Sequence, residues 1–522
     1  MTTTPSSRRH FLRHASVMSA LAGAGAPAAL SLLAAGSAAA QTATDYKALV
    51  CIFLYGGNDA FNMVLPTDSA SWQAYSTTRN QAPESIALLA PGVAANTSAG
   101  AGSPARLGGV LPLTPITPQG RGFALHPLMG TLQTMFNSER RLAVLPNIGP
   151  LVMPTTKAQY NQSAHPKPAR LFSHNDQQNT WQALAPEGTV TGWGGRMGDM
   201  LAAMNNRTVF TSISASNNAV WLSGRTVQQY QVGSSGALRL GADSNGRVFG
   251  STEVAAALER IASRSRGSHV FAADVAAVAQ RSIDAEVILR TALRPASDAA
   301  FGTTPGSGAY NANNDPKLQY DNPLSGGRSA NSLAQQLQVV ARMVDAGMSG
   351  ATGVRRQVFF VNMGGFDNHD AQNRNQADLL AKLAHAMRYF DTALGAIGGG
   401  TGGARNNVTT FTASDFGRTF TSNGDGTDHG WGSHHFVMGG AVRGGELYGR
   451  FPTLAVKNSN NNNFDGSPDQ LGNGALLPTT SVDQLGATLG TWFGLNGGQI
   501  ADIFPNLANF DASVRNLGFM AA

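Results

Sequence analysis

The chain has 522 residues, of which 42% are hydrophobic and 13% are charged, and its formal net charge is +6. Lys and Arg form no cluster interleaved with aromatic residues, which argues against nucleic-acid binding. Cys51 is the only cysteine, which excludes an intrachain disulfide and argues against an iron–sulfur or c-type haem redox protein.

The N-terminal segment predicts export. Arg8 and Arg9 form a paired-arginine signature, an uncharged stretch over 15–40 follows, and alanines at 38–40 suit signal peptidase. We predict a twin-arginine signal peptide over 1–40, recognised by the twin-arginine translocation machinery, and a periplasmic or secreted protein without a stable membrane span after cleavage. Retention of the segment as a membrane anchor is the alternative. Cleavage removes Arg8, Arg9 and Arg13, which lowers the formal charge from +6 to about +3.

The mature chain begins with a predicted strand. The apolar run over 49–54 leads through two glycines to Asp59, and Cys51 lies in mid-strand, where we expect a buried, unreactive thiol. A long loop is predicted over 90–118 because Gly, Ala, Ser and Pro recur there.

The middle of the chain is predicted to be helical. Helices are predicted over 253–263 and 272–292, and a loop rich in Asn and Gly follows over 301–328. Apolar residues then recur at helical spacing over 333–344, which predicts a helix packed on the core.

Two further strands end near acidic residues. The run over 358–361 leads to Asp367 and His369, and the run over 408–411 leads to Asp415, with His429 after a short polar loop. An amphipathic helix is predicted between them over 380–394, and a polar surface loop over 458–463.

The three strand ends together predict a fold and a site. A strand that stops at an aspartate delivers a carboxylate to the carboxyl edge of a sheet, where α/β proteins place their chemistry. The recurring order of strand, acidic loop and helix predicts an α/β fold with a mostly parallel central sheet. Because Asp59 and Asp415 must meet for a shared site, we predict one domain with long insertions over 41–522. Carboxylates and imidazoles from dispersed loops are typical of a metal site.

Several motifs carry a family resemblance. The segments are 56–59, 173–181, 364–369, 414–418, 426–430 and 439–445. They resemble the motifs of domain-of-unknown-function family 1501, whose members are typically exported by the twin-arginine route. That family resembles the alkaline phosphatase and sulfatase superfamily. The resemblance implies a sheet with helices on both faces, a divalent metal ion (zinc, magnesium, manganese or calcium) and a phosphate or sulfate ester substrate.

The resemblance also implies roles for individual residues. Ser173 lies where the superfamily has its nucleophile. Arg418 is not part of that comparison, but its fork of donors could hold a planar or tetrahedral anion. Two departures from the superfamily pattern favour a single-metal or altered site: Phe416 stands where alkaline phosphatases have a histidine, and one residue rather than three separates the paired ligands. The implied metal ligands are Asp59, Asp367, His369, Asp415 and His429.

Each role has a structural alternative. Ser173 could cap a helix, and Arg418 could fix the Asp415 loop by an ion pair. His174 could be a hydrogen-bonded structural residue or an outer contact of the metal. Asp428 is expected to orient His429 rather than to bind metal itself.

Three classes of function follow. The first is an exported metal-dependent hydrolase of phosphate or sulfate esters. The second is a non-catalytic secreted protein of the same fold that binds a glycan or a protein. The third, an exported oxidoreductase, is suggested by the export route alone.

Overall fold

A computed structural model describes residues 45–233, 236–237, 241–243, 246–264 and 269–521. The signal peptide predicted over 1–40 lies outside the described residues. The strands, numbered along the chain, are β1 (Lys47–Leu54), β2 (Val64–Pro66), β3 (Leu111–Leu113), β4 (Phe123–Leu125), β5 (Leu142–Gly149), β6 (Ser212–Ser214), β7 (Tyr230–Gly233), β8 (Gly236–Ala237), β9 (Gln319–Asp321), β10 (Arg328–Ala330), β11 (Arg356–Met363), β12 (Val408–Ser414), β13 (Ser433–Met438) and β14 (Thr480–Ser481).

The helices surround the larger of the sheets that these strands form. They are α1 (Ser69–Arg79), α2 (Pro104–Leu107), α3 (Gly130–Asn137), α4 (Lys157–Tyr160), α5 (His174–Ala183), α6 (Trp193–Leu201), α7 (Thr252–Ala262), α8 (Val270–Ala292), α9 (Ser332–Met348), α10 (Gln372–Gly395), α11 (Val482–Phe493) and α12 (Gly497–Ile503). None of the helices in the described ranges is long and apolar enough to cross a membrane.

The central sheet is mostly parallel. Its strand order within the described residues is β14-β5-β13-β12-β1-β11-β6-β7-β8. Strand β1 pairs in parallel with both β11 and β12, whereas β13 runs antiparallel to its neighbours and β8 closes a short antiparallel hairpin with β7. The three strands predicted to carry site residues are therefore adjacent, and their carboxyl ends lie at one edge of the sheet.

Both faces of the sheet are covered. Alternate residues of β1 point to opposite sides, as a pleated strand requires: Val50 and Ile52 join one buried cluster with α3, α9 and α10, while Leu49 and Phe53 join another with α5, α6 and α11. Cys51 is buried in the second cluster, as expected from its position in mid-strand. The predicted α/β class with a mostly parallel sheet is confirmed.

The predicted helices are also found. The predictions over 253–263 and 272–292 correspond to α7 and α8, and those over 333–344 and 380–394 correspond to α9 and α10. The segment 90–118, predicted to be a loop, also contains the short elements α2 and β3. Strand β3 pairs with β4, and β4 pairs with β2, so this insertion contributes to a small second sheet.

Candidate metal centre

The carboxyl edge of the central sheet carries the predicted site loops. Asp367 and His369 lie in the loop after β11, Asp415 directly follows β12, and His429 lies in the loop before β13. Asp415 and His429 belong to the same connection between β12 and β13, and an isolated antiparallel bridge between Arg418 and His429 closes that loop on itself. The loop after β11 packs closely against the β12–β13 loop at Gly426. A Cβ atom at Gly426 would lie 2.2 Å from the carbonyl oxygen of His369, so a larger residue would not fit there.

Three predicted ligands converge on one point. The Nε2 atoms of His369 and His429 lie 3.1 Å apart, and each is close to the same carboxylate oxygen of Asp367. The distances to Asp367 Oδ1 are 3.1 Å from His369 Nε2 and 3.3 Å from His429 Nε2. These three atoms form a nearly equilateral triangle.

The triangle has the dimensions of a tetrahedral metal site. A zinc ion bound at about 2.0–2.1 Å holds its tetrahedral ligand atoms about 3.3 Å apart. The observed separations of 3.1, 3.1 and 3.3 Å are close to that value. The residues present therefore fit a divalent ion on one side of the triangle, with a fourth position left for another ligand.

His174 is a fourth donor at the same place. Its Nε2 lies 3.4 Å from Asp367 Oδ2, and one ligand atom from each of His174, Asp367 and His429 can be chosen within 4.8 Å of the others. His174 is the first residue of α5, so a helix fixes its position. Sequence reasoning considered it only as a structural residue or an outer contact, although its place beside Ser173 was a usable signal.

The outer nitrogens of two histidines are fixed by oxygen acceptors. His429 Nδ1 lies 2.8 Å from the carbonyl oxygen of Phe172, which can only accept, so this nitrogen donates and Nε2 keeps its lone pair. His369 Nδ1 lies 3.2 Å from Asp428 Oδ1. Asp428 therefore contacts His369, and the expectation that it orients His429 is wrong because Phe172 takes that position.

Asp415 contacts His174. Its Oδ2 lies 2.7 Å from His174 Nδ1 and accepts a hydrogen bond of 2.8 Å from Gln178. A carboxylate on the outer nitrogen of a metal-binding histidine orients the ring and raises its basicity. Asp415 Oδ1 is buried and has no hydrogen-bond partner among the described residues. A buried oxygen of this kind is satisfied by a water molecule or an ion.

The protonation states suit metal binding in part. Burial raises the pKa of the Asp367 carboxyl, but the hydrogen bond and charge of Arg418 outweigh this and leave the pKa below its usual value. Burial lowers the pKa of His429, which favours the neutral ring. The hydrogen bond that His174 donates to the Asp415 carboxylate raises the pKa of His174, so a proton competes with an ion for this residue.

A family model described as "Protein of unknown function (DUF1501)" matches residues 46–504. The chain belongs to this family. Comparison with curated proteins gave no match. The matched range of the DUF1501 model contains all the residues of the candidate centre.

Asp59 lies outside the triangle of this DUF1501 member. It is buried, and its carboxylate is held by Arg79, with its Oδ2 2.6 Å from Arg79 NH1 and 2.6 Å from Gln372 Nε2. Gln372 in turn accepts from Thr427, which contacts Arg418. Asp59 thus belongs to the hydrogen-bonded network beneath the centre, and its described contacts do not include any of the three triangle residues.

Arg418 holds the Asp367 carboxylate of the triangle in place. Its guanidinium is buried and donates to Asp367 Oδ1 at 2.6 Å, to Gly56 O at 3.3 Å and to Thr427. Its ion-pair partner is Asp367, so the salt bridge ties the loop that follows Asp415 to the loop after β11, which agrees with the structural alternative for Arg418. With its donors engaged in this way, Arg418 positions the Asp367 carboxylate and has little remaining capacity to bind a substrate anion.

Ser173 precedes His174 at the start of α5. Its Oγ donates to Asp176 Oδ2 at 2.9 Å and does not accept a backbone hydrogen bond, so it is not a side-chain cap. Phe172, immediately before it, has a positive φ of 71°. This sparsely populated conformation directs the Phe172 carbonyl to His429, and such conformations cluster at functional sites.

Phe416 packs against two of the histidines, whose own ring centroids are 4.5 Å apart. Its ring centroid lies 4.8 Å from that of His174 and 4.7 Å from that of His429. Gly57 permits this packing, because a Cβ atom there would lie 2.5 Å from the Phe416 ring. The aromatic side chain of Phe416 therefore takes the position at which the resemblance implies a histidine ligand for a second metal ion. This substitution favours a site for one ion over a site for two.

Proposed function

We propose that this protein is an exported metal-dependent hydrolase of phosphate or sulfate esters with an alkaline-phosphatase-like fold. The observation that supports it most strongly is the triangle formed by Asp367, His369 and His429. It lies at the carboxyl edge of a mostly parallel sheet, the usual place for an α/β active site. Asp367 and His369 are 42% and 40% exposed as side chains, so the centre is open to a substrate from solvent.

The donor set favours zinc among the divalent ions considered. Imidazole nitrogens suit zinc, whereas magnesium and calcium prefer oxygen donors. A bound divalent ion would neutralise charge that develops on an ester oxygen and lower the pKa of a bound hydroxyl or water. Asp367, His369 and His429 would hold it, and His174 would supply a further nitrogen or face the substrate.

Ser173 is the proposed nucleophile. Its hydroxyl already donates to the buried Asp176 carboxylate at 2.9 Å, within the range expected for a nucleophile and its base. Its neighbours Phe172 and His174 both contact residues of the centre, so Ser173 lies in a segment that adjoins it. Asp176 would accept the hydroxyl proton as the serine oxygen attacks phosphorus or sulfur and the alcohol leaves by cleavage of the bond between that atom and the ester oxygen. Water would then release phosphate or sulfate from the serine.

A non-catalytic protein of the same fold, which binds a glycan or a protein partner, is the second candidate. Two observations favour it. Arg418, the residue expected to hold the substrate anion, is buried against Asp367 and Thr427, and Phe416 replaces a ligand that active superfamily members use. In that case the ion would stabilise the loops at the carboxyl edge without taking part in a reaction.

Metal analysis combined with activity measurements tests the proposal. Mature protein isolated from its own host is expected to contain one zinc ion per chain and to hydrolyse an aryl phosphate or an aryl sulfate. His369→Gln should reduce both metal content and hydrolysis, whereas His385→Gln, on α10 outside the centre, should change neither. Fully metallated protein without turnover of either ester class would support the binding protein, and absence of bound metal would reject the centre.

A further inference from the structure

Helix α8 carries an apolar stripe that is only partly covered. Its residues follow one another at alternating steps of four and three, which keeps them on one side of a helix. This stripe, the α8 stripe, consists of Phe271, Val275, Val278, Ser282, Ala285 and Leu289.

The two halves of the α8 stripe have opposite environments. Ala285 and Leu289 are 1% and 0% exposed and belong to the main buried cluster of the protein. Phe271, Val275 and Val278 are 75%, 67% and 51% exposed. Over about 18 Å, on the basis of 1.5 Å per residue, α8 therefore turns to solvent the face that it buries in its other half, while Ala276, on another side of the same stretch, is only 5% exposed.

The neighbouring helix α7 also exposes apolar residues. On α7, Val254 is 42% exposed and Ile261 is 59% exposed, and α7 packs against α8. Single exposed apolar residues are ordinary, but a contiguous apolar surface marks an interaction site. The four-three spacing is that of a coiled-coil seam, which pairs most simply with another helix of the same pattern.

We propose that the exposed half of the α8 stripe binds the same stripe of a second copy of this chain, with the two helices antiparallel. Such a two-fold interface is self-complementary, so one surface serves both partners. The antiparallel arrangement also places the two bodies at opposite ends of the helix pair. A parallel arrangement would place both bodies at the same end, where they would compete for space.

Charge complementarity supports this partner and this orientation. Asp274 and Arg281 are exposed and immediately precede Val275 and Ser282 of the stripe, so they flank the seam on one side. When Val275 of one copy packs beside Val278 of the other, Asp274 lies near Arg281 of the second copy. The two-fold symmetry repeats this contact, which gives two ion pairs across the interface.

The same charges disfavour a membrane as the occupant. A helix that lies on an anionic lipid surface has lysines and arginines along its polar face. Here Asp274 and Asp284 accompany Arg281 along the exposed part of α8. The mixture of signs matches a protein partner with the same mixture.

Sedimentation equilibrium of the mature protein over a range of concentrations tests the interface. We expect a monomer–dimer equilibrium. Val275→Asp should raise the dimer dissociation constant by about 100-fold or more, because two carboxylates would be buried in the seam. Val287→Asp is the matched control: Val287 is 46% exposed on the opposite side of α8 and should leave the equilibrium unchanged. Circular dichroism of both variants verifies the fold.

Charge reversal tests the antiparallel register. Asp274→Arg alone and Arg281→Asp alone should each weaken the dimer, because each places like charges opposite one another twice. The double variant should recover most of the lost affinity. A protein that is monomeric at all concentrations, a dimer insensitive to Val275→Asp, or a double variant as weak as the single variants would each overturn the proposal. Monomeric protein that sediments with anionic vesicles would assign the surface to a membrane instead.

Discussion

Asp415 Oδ2 lies 2.7 Å from His174 Nδ1, on the side of the imidazole ring that faces away from Asp367. The aspartate at the end of β12 therefore acts on the candidate centre through a histidine. This arrangement differs from direct ligation in its consequences. A carboxylate on the outer nitrogen orients the histidine ring and raises its basicity, but it does not itself bind the metal ion.

Asp415→Asn is accordingly expected to weaken metal binding without abolishing it. The amide oxygen can still accept from His174 Nδ1, but the negative charge that favours the bound ring is lost. We expect a decrease in zinc affinity of about 10–100-fold, measured by competition with a chromophoric chelator. His429→Gln, which removes a triangle residue, should cause a larger loss; equal losses would identify Asp415 as a direct ligand.

Asp59→Asn is expected to affect stability rather than metal affinity. The Asp59–Arg79 pair is buried, with exposures of 3% and 0% for the two side chains. Removal of one charge leaves the other uncompensated, which destabilises the fold by about 3–5 kcal/mol. Urea unfolding of the metal-free protein measures this loss, and zinc affinity of the folded variant should stay within a few-fold of the original. A large loss of zinc affinity without loss of stability would instead identify Asp59 as a metal ligand.

The contrast between Asp59 and Asp367 marks the limit of what the sequence could predict. Both follow a strand through a glycine-rich loop, and the runs that form β1 and β11 were recognisable because strand periodicity is local. The partner of Asp59 is Arg79, which lies at the end of α1. Both aspartates pair with an arginine, but only Asp367 also meets imidazoles. Which aspartate does so depends on tertiary packing that one chain segment does not encode.

His174 was undervalued for a similar reason. The resemblance implies a nucleophile at Ser173 and no metal ligand at His174. The sequence also does not reveal that Phe172 adopts a positive φ. That conformation, together with the start of α5, brings the Phe172 carbonyl and the His174 ring to the centre. The four-three spacing of the α8 stripe is visible in the sequence. Which part of the stripe is exposed depends on which elements pack against α8, and the sequence does not show this.

Three buried histidines predict an acid-sensitive fold. Burial lowers the pKa values of His126, His434 and His435 to about 3 each. The unfolded chain takes up protons near pH 6.5 while the folded chain does not, so stability is present above that pH and is lost as the pH falls towards 3. Each histidine contributes a slope of up to about 1.4 kcal/mol per pH unit in this window.

Urea midpoints of the metal-free protein between pH 7.5 and 5 measure this slope. A chelator is needed throughout, because protonation of the centre would otherwise release metal and add its own pH dependence. His434→Gln should reduce the slope, while the exposed His269→Gln should not. Equal slopes for the original protein and the His434 variant would mean that His434 is protonated in the folded state.

Export is expected to require both arginines of the pair. Arg8→Lys with Arg9→Lys keeps the charge but removes the guanidinium groups that the twin-arginine route recognises. The precursor should remain in the cytoplasm, which fractionation and immunoblotting can measure. Arg13→Lys is a control of the same chemistry outside the pair. Normal appearance of the mature form outside the cytoplasm in the double variant would contradict this prediction.

Ser173→Ala separates two ways in which the centre could act. If the serine oxygen attacks the ester, the variant should lose several orders of magnitude in kcat, with metal content unchanged. If a water molecule attacks directly, the loss should be modest, because Ser173 then contributes only its hydrogen bond to Asp176 Oδ2. Asp176→Asn distinguishes a catalytic base from a structural acceptor, since only a base should alter the pH dependence of kcat/KM. One mixed outcome is a large loss of kcat in Ser173→Ala together with an unaltered pH dependence of kcat/KM in Asp176→Asn. That outcome would identify Ser173 as the nucleophile and the metal centre, not Asp176, as the group that deprotonates it.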